Sequence, residues 1–300
     1  MPDRAPTSLP GSAERRRGLA IVASAYALAL VAAIATCWFL RERGPLVAAA
    51  AADIVATLVV FGFSVVHDNS SVYDPYWSFA PIPIAIYWAS REGGGLRSAL
   101  VLAAICAWGA RLTANQLGRW RGLEDEDFRY AALRARAGRW YWPVSLAGVH
   151  LMPSIWVFLG LLPAFPALLG AGRPFGPLDG AATALTFGAI GVETVADLQL
   201  RRFVRARRDP AAVLDEGLWA RCRHPNYLGE ILFWWGLWLS GLAAAPDWAL
   251  PSAIGPVAIT VLFVLVSVPW MDRRMAARHP EWRARVGALP ALLPLPGRRG

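Results

Sequence analysis

The sequence predicts an all-α fold, a polytopic membrane bundle of seven or eight transmembrane helices. Of its 300 residues 56% are hydrophobic and 15 are Trp, and its mean hydropathy is +0.39. This is more apolar surface than a soluble domain buries. Eight apolar runs approach the length that crosses a hydrocarbon core of about 30 Å, and the third is short and rich in Pro. The runs are centred on Leu19–Leu40, Leu46–Val66, Phe79–Ser90, Leu96–Leu112, Val144–Leu169, Leu178–Leu200, Gly229–Leu242 and Leu250–Trp270.

The charges of the chain predict its orientation. All basic residues are Arg, which excludes lysine-based Schiff-base and general-base chemistry. The arginines cluster between the spans, so the positive-inside rule accounts for the net charge of +9 without a nucleic-acid partner. We therefore expect a multi-pass protein of a bacterial inner membrane with both termini in the cytoplasm. The segments expected there are Arg15–Arg17, Arg119–Arg139, Arg201–Arg223 and Arg273–Arg299.

The cysteines indicate no cross-link, and the distribution of polar residues divides the chain in two. The three cysteines are Cys37, Cys106 and Cys222; they are far apart in sequence, so neither a disulfide framework nor a metal site is predicted. The first two spans carry almost no internal polar group apart from Asp53. We therefore interpret residues 1–66 as accessory transmembrane helices and 67–300 as the catalytic domain. The lipid bilayer is the expected environment, and no obligate protein partner is inferred.

A dense polar block over residues 217–230 meets a long apolar run. Pro225 suits the first turn of a helix and His224 its cap, so a helix is predicted to start near Asn226. Asn226 and Glu230 are four residues apart and share one helix face. Glu230 lies about one turn inside the apolar run, where an unpaired carboxylate is costly, so it requires a partner. The alternative is an interfacial helix start whose Arg and His contact lipid headgroups.

Two further stripes repeat polar residues every four positions and so follow single helix faces. An Arg about two turns inside a membrane boundary is costly unless it faces a polar cavity or extends to the headgroups. The first stripe is Arg111, Asn115 and Arg119, and the second is Glu193, Asp197 and Arg201.

The segment after the second span, residues 67–77, combines acidic and aromatic side chains. The Asp74-Pro75 step signals a turn, and Tyr73 and Tyr76 flank it. An interfacial aromatic belt would explain the tyrosines equally well.

Under the predicted topology these groups line one cavity that opens to the cytoplasm. Guanidinium groups suit phosphates, whereas carboxylates and amides suit ribose hydroxyls and a carboxamide, so we expect a nucleotide cofactor. The predicted binding residues are Arg111, Asn115, Arg119, Glu193, Asp197, Arg201, Arg223, His224, Asn226, Tyr227 and Glu230.

Four motifs resemble the steroid 5-alpha-reductase family, specifically its broad bacterial branch, over roughly residues 55–290. They are Asp-Pro-Tyr-Trp at 74–77, Glu-Asp-Phe-Arg-Tyr at 126–130, Ala-Asp-Leu-Gln at 196–199 and the block at 217–230. The resemblance implies a multi-spanning oxidoreductase that uses NADPH to reduce a carbon–carbon double bond conjugated to a carbonyl. It places cofactor contacts at Asp197, Arg201, Asn226 and Glu230, and further ones at Arg111, Arg119 and His224.

The chain departs from that family in its substrate chemistry. It has no Gln-Glu pair between Leu46 and Val66, and Trp108 precedes Arg111. The proton donor is therefore predicted among Tyr73, Asp74 and Tyr76, with Tyr76 favoured because a tyrosine hydroxyl donates without a shifted pKa. The expected substrate is an apolar small molecule, steroid-, isoprenoid- or lipid-like.

A second class of enzyme shares part of the block. Residues 223–229, Arg-His-Pro-Asn-Tyr-Leu-Gly, are also similar to membrane methyltransferases that modify isoprenylcysteine or lipid amines with S-adenosylmethionine. Those enzymes usually carry a Glu pair after their last helix, whereas this chain has Asp272, Arg273 and Arg274. A non-enzymatic transporter or scaffold would need a polar path through the bilayer, whereas the polar residues of this chain crowd one side.

Overall fold

A computed structural model describes residues 12–91, 94–170, 172–207, 209, 212–279 and 281–294, so predictions about the chain ends fall outside the described residues. Within that part every regular element is helical, which confirms the all-α fold. The α-helices are α1 Ser12–Phe39, α2 Pro45–Val66, α3 Tyr76–Phe79, α4 Pro81–Ala89, α5 Leu96–Arg119, α6 Phe128–Ala137, α7 Tyr141–Ser145, α8 Met152–Leu161, α9 Phe165–Leu169, α10 Pro177–Ala206, α11 Pro225–Ala244, α12 Pro246–Ser252, α13 Ile254–Leu262, α14 Val268–Arg278 and α15 Trp282–Arg285. Short 3₁₀ or π turns cover Arg41–Arg43, Ser70–Tyr73, Gly138–Trp140, Leu146–Leu151, Leu162–Ala164, Gly217–Ala220 and Phe263–Ser267.

Six helical stretches of the described chain are long and apolar enough to cross a membrane, as a multi-pass protein requires. They are Ala13–Phe39, Pro45–Val66, Leu96–Arg119, Phe128–Leu169, Pro177–Ala206 and Pro246–Arg278. The predicted runs Phe79–Ser90 and Gly229–Leu242 are not among them. With nine residues, α4 extends only about 14 Å. The count of seven or eight spans and the orientation stay predictions.

The chain forms two compact units. The first contains Met1–Phe158 and Leu168–Gly170, and the second contains Leu159–Ala167 and Ala171–Gly300. This division by packing falls elsewhere than residue 66, and the accessory role of residues 1–66 stays a prediction.

In the first unit, α1 and α2 pack against the segment that follows α2. Tyr26, Val60, Val72, Tyr73 and Tyr76 share one buried cluster. The Tyr26 hydroxyl donates to the Val72 carbonyl at 2.9 Å, and its ring lies 5.5 Å from that of Tyr76. The first two helices therefore form one side of the packing that fixes the tyrosines.

In the second unit, α10 and α11 run antiparallel in close contact. A Cβ built on Gly229 would lie 2.7 Å from the Glu193 Cβ, and one on Gly236 would lie 2.3 Å from the Thr186 hydroxyl oxygen. Glycine is required at both positions because any side chain would push the helices apart. The start of α11 is as predicted, with His224 at the N-cap and Pro225 in the first turn.

Candidate functional site

The first unit contains a buried chain of hydroxyl groups. The Tyr73 hydroxyl lies 2.8 Å from the Ser154 hydroxyl, which lies 2.9 Å from that of Thr57. Tyr73 is 1% exposed and Thr57 is fully buried. Hydroxyls both donate and accept, so this chain can pass a proton along its length.

Asp74 is bound by residues in the first turn of α6. Its carboxylate accepts from the Tyr130 hydroxyl at 2.5 Å, and the Arg129 guanidinium lies 3.8 Å away. The Gln116 amide of α5 donates to the Asp74 carbonyl at 3.1 Å. Burial raises the pKa of Asp74 to about 6, although the Tyr130 hydroxyl acts against that shift. Asp74 thus anchors its turn, with two elements of the unit bound to it.

Tyr76 lines an apolar cavity of about 680 Å³ in the same unit. Burial raises the pKa of the Tyr76 hydroxyl well above its usual value, and the Thr57 hydroxyl, as a hydrogen-bond partner, lowers it by less. Tyr76 therefore stays protonated at neutral pH. A raised pKa makes this hydroxyl a weaker acid than the unshifted tyrosine expected from the sequence, and the donor role of Tyr76 stays a prediction.

Asp53 lines the same cavity from α2 and was not predicted as a site residue. Its side chain is 7% exposed and makes no hydrogen bond to any other residue that the structure describes. A buried acid in an apolar span is costly unless it serves a ligand or a partner. The signal that could have found it is that single carboxylate near the middle of the second apolar run.

The predicted stripe Arg111, Asn115 and Arg119 lies on α5, also in the first unit. Arg111 is partly buried, whereas Arg119 is exposed and donates to the Asn115 carbonyl at 3.3 Å. The stripe follows one helix face as predicted, with its exposed end at the end of the helix.

In the second unit, Arg223 and His224 are both held by Asp272 of α14. The Arg223 guanidinium donates to the two Asp272 carboxylate oxygens at 3.3 and 2.9 Å, and the His224 Nε2 lies 2.8 Å from Oδ1. Arg223 also donates to the Gly287 and Leu289 carbonyls. We call this cluster the Asp272 clamp.

The clamp fixes the segment that follows α14. The Arg223 and His224 backbone N–H groups donate to the Pro290 and Ala291 carbonyls, each at 3.0 Å. Burial lowers the pKa of His224, and Asp272 opposes that shift. Sequence reasoning noted Asp272 but missed this pairing, because the partners are about fifty residues apart.

Asn226 and Glu230 follow on the first turns of α11. The Asn226 Oδ1 is buried and accepts no hydrogen bond from the described residues. Glu230 is 6% exposed and accepts a hydrogen bond from the Trp234 indole at 2.9 Å. Its buried carboxylate therefore has a partner one turn along its own helix. The Tyr227 ring stacks on the His224 ring at 5.0 Å.

The carboxylates of α10 approach the same end of α11. Glu193 is buried beneath Gly229. Asp197 lies one turn further along α10 and Arg201 one turn beyond that, and both side chains are partly exposed. The structure therefore brings the predicted residues of the second unit to one helix pair. The single cavity that would also include Arg111 and Arg119 stays a prediction.

Among the described residues, no group of three or more His, Cys, Asp or Glu could hold a metal ion. The fold and these groups define a multi-pass helical membrane protein with an apolar, acid-lined cavity in one unit and a charged clamp beside a helix start in the other.

Comparison with known proteins gives the family. The chain belongs to the family described as "Protein of unknown function (DUF1295)", whose profile matches residues 60–285 and which includes steroid 5-alpha-reductase-like proteins. It is similar to a fission yeast protein, described as "Uncharacterized protein C594.04c" of Schizosaccharomyces pombe. The two are 26% identical over 251 residues, which cover 74% of this chain and 72% of the relative. No solved structure matches the chain.

Proposed function

We propose that this protein is an integral membrane oxidoreductase that uses NADPH to reduce a carbon–carbon double bond conjugated to a carbonyl. Its substrate would be an apolar molecule of steroid, isoprenoid or lipid type. One observation carries the proposal: an apolar cavity of about 680 Å³ holds a buried tyrosine, Tyr76, and a buried acid, Asp53. That volume suits one small ligand, and few polar groups in apolar walls are typical of such sites. The family motifs favour reduction among the reactions such a site could perform.

In this proposal Tyr76 donates a proton to the carbonyl oxygen of the substrate as negative charge develops there. Because its pKa is raised, Tyr76 is protonated before the reaction and would transfer the proton only as the enolate oxygen becomes basic. Thr57 lies beside Tyr76, and the hydroxyls of Ser154 and Tyr73 continue from Thr57, so the Thr57 hydroxyl can donate a hydrogen bond to the Tyr76 oxygen once that oxygen has given up its proton. Asp74, held by Tyr130, orients the turn that carries both tyrosines.

The residues of the second unit fit a nicotinamide nucleotide. The buried Asn226 Oδ1 has no hydrogen-bond donor among the described residues, so it can accept a hydrogen bond from a carboxamide N–H. Glu230 lies on the same face of α11. Arg201 and its neighbours would contact phosphates. When bound, NADPH supplies the hydride for the β-carbon of the substrate. Arg223 and His224 contribute indirectly, because the clamp holds them at the start of α11.

The first experiment asks which cofactor the protein binds. Thermal unfolding of the detergent-purified protein is measured with NADPH and with S-adenosylmethionine. A ligand at 100 times its dissociation constant adds about 2.7 kcal/mol of stability. We expect stabilisation by NADPH. Stabilisation by S-adenosylmethionine alone would replace the reductase with the alternative, a methyltransferase acting on an isoprenylcysteine or a lipid amine.

The second experiment tests the donor. Tyr76→Phe removes only the hydroxyl, and we expect NADPH oxidation with apolar enones to slow by roughly 100-fold while NADPH binding is retained. The matched control is Tyr26→Phe, which removes a neighbouring buried hydroxyl bound to the Val72 carbonyl. Unchanged turnover in Tyr76→Phe would eliminate Tyr76 as the donor.

A further inference from the structure

The cavity of the first unit has a charged rim as well as an apolar interior. Arg41 and Glu42 lie between α1 and α2, and Arg91 follows α4 closely, so all three stand where helices end or begin. The Arg41 Nε lies 3.2 Å from the Glu42 carboxylate. The Arg41 guanidinium stacks 4.7 Å from the centre of the Trp38 ring and that of Arg91 lies 5.7 Å from the Tyr87 ring. Among the described residues that line the cavity here, two guanidinium groups and one carboxylate give the rim a net charge of +1.

The interior lies well below that rim. Asp53 is eight residues into α2 from Pro45, which corresponds to about 12 Å along the helix axis. Small side chains such as Ala49, Ala52 and Ala56 form the α2 wall around it. A ligand that fills the cavity would therefore meet cationic groups at one end and the Asp53 and Tyr76 side chains at the other.

We propose that the cavity binds a single-chain amphiphile with a carboxylate head group, held at Arg41 and Arg91, with its apolar chain directed toward Asp53 and Tyr76. This inference rests on the proposed function for the identity of the reacting group and deepens it by naming the substrate class. Charge selects the head group, because one carboxylate matches a net charge of +1, whereas a phosphate monoester carries nearly two negative charges. Guanidinium groups also bind carboxylates through paired hydrogen bonds.

The Asp53 carboxyl supports a ligand in this place independently of the rim. It is more than nine-tenths buried, lines the cavity and has no hydrogen-bond partner among the described residues. In its protonated form the Asp53 carboxyl can donate a hydrogen bond to an acceptor on the chain of the amphiphile, such as the carbonyl oxygen of an enone. An amphiphile with a plain hydrocarbon chain would leave it unsatisfied, so the carbonyl also contributes to selection.

The test separates binding from turnover. A fatty acid with a mid-chain keto group and a diazirine, and its methyl ester, are photo-crosslinked to the full-length protein in nanodiscs of zwitterionic phospholipid. Labelled peptides are mapped by mass spectrometry. We expect the acid to label α1, α2 and α4 roughly tenfold more than the ester. Arg41→Gln with Arg91→Gln should remove that preference, and both side chains are exposed, so folding should be retained. Arg43→Gln is the matched control, an exposed arginine of the same turn outside the cavity.

Equal labelling by acid and ester, or a preference that survives the double substitution, would overturn the inference. NADPH oxidation is then measured with an enone that carries a terminal carboxylate and with its ester. Selective crosslinking without NADPH oxidation by either compound would reject the proposed reductase while the carboxylate-binding cavity stands. Oxidation of both compounds at equal rates, with no selective crosslinking, would reject the carboxylate and leave the reductase in place.

Discussion

Two acidic residues, Asp53 in the first unit and Asp272 in the second, differ in their hydrogen-bond partners. In the first, Asp53 lies against an apolar cavity with no hydrogen-bond partner among the described residues. In the second, Asp272 is bound by both Arg223 and His224, and those residues hold the following chain through their backbone and side-chain N–H groups. A buried acidic group with partners stabilises a local structure, whereas one without hydrogen-bond partners remains available to a ligand. Polar residues near a membrane therefore need to be sorted by their partners before a chemical role is assigned to them.

Two of the predicted cofactor residues are bound by the protein itself. Arg223 and His224 were predicted as direct contacts, and the structure gives both a structural partner. Asn226, two residues later, retains a buried carbonyl oxygen that accepts no hydrogen bond from the described residues. The cofactor assignment therefore relies more on Asn226 than on Arg223 and His224.

The largest expected effect breaks the clamp. Asp272→Ala leaves the Arg223 guanidinium, 17% exposed, without its carboxylate, and we expect the free energy of unfolding to fall by about 3 kcal/mol. Chemical unfolding in detergent measures this. The control is Asp125→Ala, whose pair with Arg121 is about 60% exposed and should contribute less than about 1 kcal/mol. Equal losses in the two variants would show that the clamp is no stronger than a surface pair.

A second prediction concerns pH in the first unit. The Asp74 pKa is about 6 in the folded protein, above its ordinary value of 3.8. Its contribution to stability is thus fully present below pH 3.8 and is lost as the pH rises through about 6. Asp74→Asn cannot ionise. The unfolding free energy of the wild type, relative to this variant, should therefore fall by up to about 3 kcal/mol between pH 4 and pH 7.

The matched control for that titration is Asp68→Asn, because the Asp68 side chain is 75% exposed and pairs with Arg134 at the surface. We expect Asp68→Asn to lower the unfolding free energy by less than about 1 kcal/mol, as is typical of an exposed pair. A wild-type minus Asp74→Asn difference that stays level, or grows with pH, would contradict the raised pKa.

The smallest expected effect tests the available amide of the second unit. Asn226→Ala should weaken NADPH binding by about 1–3 kcal/mol, because a buried hydrogen-bond partner of the cofactor is lost. Isothermal calorimetry measures the affinity, with Glu230→Gln as a second variant. Ser252→Ala on α12 serves as a control, since that hydroxyl is bound to the Ala249 carbonyl within its own helix. Unchanged affinity in both Asn226→Ala and Glu230→Gln would remove the cofactor from this face of α11.

Sequence patterns predicted helix positions well where apolar length or local chemistry decides them. The start of α11 is an example, because Pro at the first turn acts through its own backbone. The apolar run Phe79–Ser90 does not form one long helix. The chain breaks at Ala80, and the short helix α4 follows, because a proline disfavours the helical conformation of the residue before it, as Pro81 and Pro83 do here. No helix is predicted within Arg119–Arg139, yet this segment contains α6, which Asp127 caps by accepting from the Arg129 N–H at 2.8 Å.

By itself the sequence determined the helical membrane class, the start of α11 and the four-residue stripes, because these depend on composition and on neighbours within one or two turns. Only the tertiary structure decided that Asp272 binds Arg223 and His224, that Tyr130 binds Asp74, and that Asp53 and Tyr76 line one cavity. The physical reason is that burial and hydrogen bonding depend on which distant segments pack together. A helix pattern indicates the face on which a side chain lies, and packing determines which groups it meets there.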